Sequence, residues 1–195
     1  MVHPSSRHPN PMITLIRHGR PDLMPWGWHG RAAFRRFLAH YDSVAIDPAW
    51  PPPADLVQRV NGAGAVFAST AARARTSAEL LLADRLPAVD PIFAEAPVSV
   101  PFLPIPLPLP AWMALGRLGW LAGLGAAAET RRGSGARAGA AAGLLAEAAE
   151  RHGAAVLVGH GWFNRLIGEA LRTRGWRGEP GRGHDYWSHR SYHRE

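Results

Sequence analysis

Three short apolar runs, Met12–Ile16, Ala63–Ala68 and Ala154–Val158, alternate with helical patterns along this chain. That alternation constrains the fold more than any other feature. Runs of five or six apolar residues are too short for buried helices and read as strands covered on both faces. Helices are expected over Arg31–His40, Ala54–Val60, Ala71–Leu86, about Ala111–Leu124, Glu129–His152 and Trp162–Arg174. A short strand is expected near Ala88–Phe93 and a closing edge strand over Tyr186–Tyr192, with Gly175–Gly183 as loop. Short strands interleaved with helices predict an α/β fold: a three-layer sandwich with a mostly parallel central sheet flanked by helices.

Composition narrows the function classes. The chain has 195 residues, 47% of them hydrophobic, which suits one domain with a substantial core. Residues 1–11 read as a disordered lead-in, and 12–195 as a single domain with a proline-rich apolar insert at about 97–125. The lead-in has no apolar stretch of the secretory kind, so a cytoplasmic location is expected. There is no cysteine, which excludes disulfides and thiolate metal ligands. The net charge is +7 and every basic side chain other than histidine is arginine. The arginines are spread along the chain, so no nucleic-acid footprint is read from them. Val98–Gly125 is long and apolar enough for a membrane span, but five prolines between Pro101 and Pro110 break any helix there, so no span is expected.

In open α/β sheets ligands bind beyond the carboxyl ends of the strands. The first strand here ends in Arg17-His18-Gly19. The second ends in Ser69, with Arg73 after the turn, and the third in Gly159-His160-Gly161. If these strands are neighbours, two histidines and two arginines converge. A phosphoryl group in transfer presents three anionic oxygens that suit this set. Guanidiniums hold such oxygens with charge-assisted bonds, a protonated histidine adds a donor, and a neutral histidine in line with phosphorus attacks it. Glycines let the backbone approach, and the helix after His160 offers its N-terminal amides.

On these residues the sequence resembles the histidine phosphatase superfamily, also called phosphoglycerate-mutase-like. "LIRHGRP" resembles its Arg-His-Gly signature, "FASTAARARTSAELL" its second block and "VLVGHGWFNRLI" its third, in order from Met12 to Leu171. The resemblance implies a metal-independent phosphatase acting on a small phosphorylated substrate through a phosphohistidine, with no cofactor. It implies His18 as the nucleophile, Arg17 and Arg73 as the phosphate clamp, and His160 completing the pocket. Arg73 aligns with the family's arginine better than Arg75 does. Glu95 stands where the family places its proton donor, with Asp22 in reserve. Gly19, Arg20 and Gly161 are read as substrate-binding. Arg20 departs from the family, many of whose members carry Glu there, and an arginine at the mouth would favour a polyanionic or carboxylate-bearing substrate. Two alternatives stay open: a mutase-type phosphoryl transfer, and a phosphate-ligand binding protein that has lost turnover.

The proline-rich segment with Trp112 and Trp120 falls where the family varies, and reads either as a substrate-selecting lid or as a helix packed on its own domain. Trp26 and Trp28 follow the nucleophile loop and are candidates to wall the pocket. His184, His189 and His193 near the C-terminus have no standard metal-ligand spacing, so no metal site is expected.

Overall fold

The computed structural model describes residues 10–23, 27–124, 127–180 and 185–194. Most of the lead-in, together with Trp26 and His184, lies outside the described residues. The elements in chain order are β1 (Met12–Arg17), β2 (Trp28–His29), α1 (Arg31–Tyr41), α2 (Ala54–Asn61), β3 (Ala65–Ala68), α3 (Ala72–Leu81) and β4 (Ala88–Val89). After a 3-10 turn at Pro91–Phe93 come β5 (Leu107–Pro108), α4 (Leu109–Leu121), α5 (Arg131–His152), β6 (Ala154–Gly159), α6 (Gly161–Thr173), β7 (Arg177–Gly178) and β8 (His189–His193).

Six strands form one sheet in the order β4-β3-β6-β1-β8-β7. The four from β4 to β1 run parallel, and β8 pairs antiparallel with both β1 and β7. Alternation along β1 divides the core. Ile13 and Leu15 join Ala155 and Leu157 under α5 and α6, whereas Ile16 joins Val66, Ala68, Val156 and Val158 under α2 and α3. The fold is therefore α/β with helices on both faces of a mostly parallel sheet. On its buried face α5 presents Ala138, Ala141, Ala142, Leu145, Ala148 and Ala149, a 3.6-residue stripe. Alanine there lets α5 lie close to β6 and α6.

Register sets the site. Arg17 pairs with Gly159, and Val158 with Ala68, so the three central strands end level. The His18 amide extends the ladder to the Gly159 carbonyl (3.0 Å), and the Ser69 amide does the same to Val158 (3.2 Å). One row of residues at one sheet edge follows from those pairings.

Several boundaries differ from the sequence expectation. α3 ends at Leu81, not Leu86, because Asn61 captures its end: the Asn61 amide donates to the Leu81 carbonyl and its oxygen accepts from the Ala83 amide. Leu80 consequently faces solvent while Leu81 and Leu82 are buried. The run Tyr186–Tyr192 is not a closing edge strand. β8 begins only at His189 and lies inside the sheet, and the edge is β7, within the stretch read as loop. The cause lies at Trp187, whose φ of 63° turns the chain and whose indole packs on Gly19 and donates to the Trp50 carbonyl (3.1 Å). The strands β2 and β5 pair with each other, and two-residue strands carry no readable period.

Helix α4 is docked on the body of the protein. Trp112 is fully buried, stacks on Phe34 of α1 at 5.1 Å and donates its indole N–H to the His29 carbonyl (2.6 Å). Among the described residues no helix is long and apolar enough to cross a membrane.

Candidate active site

Burial and charge fix the state of His18. Its side chain is 3% exposed, and Nδ1 lies 2.7 Å from the Gly19 carbonyl oxygen. A carbonyl only accepts, so Nδ1 carries the proton and Nε2 keeps its lone pair. Burial first, then the Arg73 and Arg17 charges, lower the His18 pKa to about 3, against the opposing pull of the Gly19 carbonyl. The result is a neutral imidazole with a free lone pair on Nε2.

His160 meets His18 edge-on, ring centres 5.3 Å apart. Its Nδ1 lies 3.4 Å from Arg73 Nη2, and its Nε2 lies 2.8 Å from Ser69 Oγ. A guanidinium only donates, so Nδ1 accepts and the proton sits on Nε2, shared with Ser69. Burial, then His18 and Arg73, hold its pKa well below the ordinary histidine value. The protonated donor expected from sequence is therefore replaced by a neutral ring that braces Arg73 and lies outside the cavity wall.

Arg73, on the first turn of α3, is 2% exposed. Nη1 donates to the Tyr41 carbonyl (2.7 Å) and to Asp42 Oδ1 (3.0 Å), and the guanidinium carbon lies 4.1 Å from the centre of the Tyr41 ring. Its buried Nε has no hydrogen-bond partner in the structure, which leaves a donor for a ligand. Arg75 is exposed. Arg17, at the end of β1, stacks on Tyr186 at 4.6 Å. Gly161 opens α6 beside Arg17, where a Cβ would stand at ordinary contact distance, 3.4 Å from Arg17 Cδ.

Gly19, read from sequence as substrate-binding, has its amide and its open face engaged by the protein itself. The Gly19 amide donates to Ser77 Oγ (2.8 Å), whose hydroxyl donates to the Arg73 carbonyl (2.6 Å). Any side chain at Gly19 would strike the Trp187 ring. Its amide is thus spent on locking the loop after β1 to α3. Arg20 lies outside the cavity wall: its guanidinium stacks on Trp50 at 4.7 Å and its carbonyl accepts from Asp47 (2.8 Å). The chain leaves the site there to pair with residues 45–47, which also leaves Asp22 exposed and away from the cavity.

Glu95 follows the 3-10 turn and caps α6. Its Oε1 accepts from the amides of Ala96 (2.9 Å) and Phe163 (2.8 Å), and Oε2 from Trp162 at 3.4 Å. Burial pushes its pKa up, and the Arg117 charge and these amides pull against it without cancelling the rise. One cavity of about 970 Å³ joins Arg17, His18, Arg73, Glu95 and Gly161, and its lining also includes Leu38, Val98 and Met113. Sequence reasoning gave no role to Ser77, Tyr41, Asp42, Tyr186 or Arg117. Ser77 carried a signal, because it lies four residues after Arg73 on one helix face.

The two neutral histidines tie stability to pH. In the unfolded chain both titrate near 6.5, and in the folded protein both stay neutral to lower pH. Between those limits the unfolded state binds more protons, so each histidine lowers stability by about 1.4 kcal/mol per unit as pH falls below about 6.5. Urea unfolding at pH 7, 5.5 and 4.5 is expected to show this slope, shallower in His160→Gln. A slope unchanged in that variant would place the acid sensitivity elsewhere.

No protein-family model matches the sequence, and no curated protein matches it. Solved structures do. A functionally characterised open-reading-frame product of Mycobacterium tuberculosis superposes with a TM-score of 0.55 at 21% identity, over 84% of this chain and 78% of that one. A mycobacterial glucosyl-3-phosphoglycerate phosphatase does so at 0.55 and 17%, over 83% and 79%. A phosphoserine phosphatase mutant from Entamoeba histolytica in complex with phosphoserine gives 0.52 and 14%, over 83% and 80%. At such identities the likeness speaks for the fold, and together with the sheet order it shows that the chain has the histidine phosphatase fold.

Proposed function

We propose that the protein is a metal-independent phosphatase that hydrolyses a phosphomonoester through a phosphohistidine on His18. The observation that carries the reading is the neutral His18 imidazole, its Nδ1 proton held by Gly19, in one cavity with two arginines and a carboxyl group of raised pKa. In the first step Nε2 of His18 forms a bond to phosphorus as the ester P–O bond breaks. Protonated Glu95 gives its proton to the departing oxygen, most readily from Oε2, whose one amide contact is long. In the second step the Glu95 carboxylate takes a proton from water, the water oxygen bonds to phosphorus, and the P–N bond breaks to release phosphate and neutral His18. Arg17 and Arg73 supply the positive charge that stabilises the equatorial oxygens, and His160 positions Arg73.

The apolar Leu38, Val98 and Met113 in the cavity lining suit a leaving group with hydrophobic surface. The phosphatases of like fold support phosphomonoesters as the substrate class. With a chromogenic aryl phosphate, turnover is expected to be unaffected by chelator and more efficient than with a small polyol phosphate. Turnover lost in chelator and restored by added metal would contradict the metal-independent mechanism. A second reading, a phosphate binder without turnover, draws on the three amides that favour ionised Glu95. It predicts bound phosphate or vanadate and no hydrolysis at any pH.

A further inference from the structure

Glu95 sits in a loop gripped from both sides by arginines. Upstream, Arg137 of α5 donates from Nη1 to the carbonyls of Ile92 (2.9 Å) and Ala94 (2.7 Å). Downstream, Arg117 of α4 donates from Nη1 to the Pro97 carbonyl (3.0 Å) and from Nη2 to that of Ala96 (3.2 Å). Each guanidinium also lies on an aromatic ring of α6. Arg137 is 3.9 Å from the ring centre of Phe163, and Arg117 is 4.9 Å from that of Trp162, with Trp120 at 5.1 Å. Trp162 and Phe163 are the residues whose amides Glu95 accepts. The carboxylate and the two clamps thus converge on the first turn of one helix.

The clamps differ in charge. Arg137 is paired fork to fork with Glu129, Nε to Oε1 at 3.1 Å and Nη2 to Oε2 at 2.7 Å, which neutralises it locally. No carboxylate of the described residues lies within ion-pair distance of Arg117, and its charge acts on Glu95. Other groups bear on Glu95 from the remaining elements. Tyr41 comes from α1, and His18, Arg17 and Arg73 share the cavity. On α6, Arg165 and Glu169 are exposed and paired with each other.

We propose that Arg117 is a positioning residue for the reaction: from the proline-rich segment it holds the Ala96–Pro97 backbone, and so Glu95, against the first turn of α6, with its positive charge beside the proton donor. The proposal rests on Glu95 as that donor. It makes the α4 segment part of the proton-transfer apparatus as well as a wall of the cavity.

The test reads pH dependence. A positive charge favours ionised Glu95, so removing it lets Glu95 keep its proton to higher pH. In Arg117→Met the alkaline limb of kcat should move up by about one pH unit, while the maximal kcat falls about tenfold as the loop loosens. Arg117→Gln, which keeps a donor for the carbonyls, should show the same shift with a smaller loss, and keeps the test open if the methionine variant folds poorly. Arg117→Lys should return the limb to its wild-type position. The neutral double variant Arg137→Met with Glu129→Gln should lower the melting temperature and leave the limb in place. An alkaline limb that coincides in wild type, Arg117→Met and Arg117→Gln overturns the proposal. Glu95→Gln separates the two levels: if it keeps wild-type turnover and the limb, Glu95 is not the proton donor. If it is inactive while the Arg117 variants show no shift, only the role of Arg117 falls.

Discussion

His18→Ala is expected to abolish phosphomonoester turnover, lowering kcat by at least about 10⁴-fold, because on the proposed mechanism the variant has no group to take the phosphoryl. No nearby side chain replaces it. His160 has one nitrogen facing Arg73 and the other shared with Ser69, and it lies outside the cavity wall. The proposed phosphate clamp does not depend on the imidazole, since Arg73 is held by Tyr41 and Asp42 and Arg17 by Tyr186. Vanadate or phosphate should therefore still bind, within about tenfold of wild type. Steady-state kinetics beside calorimetric titration checks both halves. Retained turnover would remove His18 from the chemistry, and lost binding would show that the variant had damaged the cavity instead.

Arg73→Met should lower kcat/KM by about 10³-fold, the effect of removing a preorganised donor from transition-state charge. The guanidinium is fully buried; three of its five N–H groups go to Tyr41, Asp42 and His160, and the one on Nε has no partner. Lysine cannot reproduce that fork, so Arg73→Lys should recover less than about tenfold of the loss. Arg75→Met, two residues on and exposed, should stay within about threefold of wild type. Michaelis–Menten parameters for the three variants decide it. A loss in Arg75→Met as large as in Arg73→Met would mean that the wrong arginine had been placed at the phosphate.

Much of the fold was legible because its central strands are short apolar runs punctuated by glycine, and the helices between them are long. The end of α3 was hidden because it is set by Asn61, twenty residues away. The start of β8 was hidden because Trp187 takes a left-handed turn to cover Gly19. Side-chain reach of that kind has no local pattern. At the site, Arg17, His18, Arg73, Glu95 and Gly161 come to one cavity: the level ends of β1, β3 and β6 bring all but Glu95, which the loop held by Arg137 and Arg117 brings. Arg20 does not join them, since sequence adjacency to a nucleophile says nothing of where the chain turns next. His160 is present but neutral, because protonation state depends on burial and on charges brought from other elements. Arg117 was invisible for the same reason: its partners are backbone carbonyls twenty residues upstream, which any residue types could supply.

The central claim is a covalent phosphoryl group on Nε2 of His18, and rapid-quench mass spectrometry tests it most directly. Protein mixed with a phosphomonoester and quenched in base should yield one phosphorylated peptide, carrying an acid-labile, base-stable phosphoramidate at His18. It should be absent from His18→Ala and should build up in Glu95→Gln if the ester's leaving group needs no proton. Turnover that proceeds at the wild-type rate with no phosphate trapped on His18 at any quench time, or with phosphate on another residue, would contradict it.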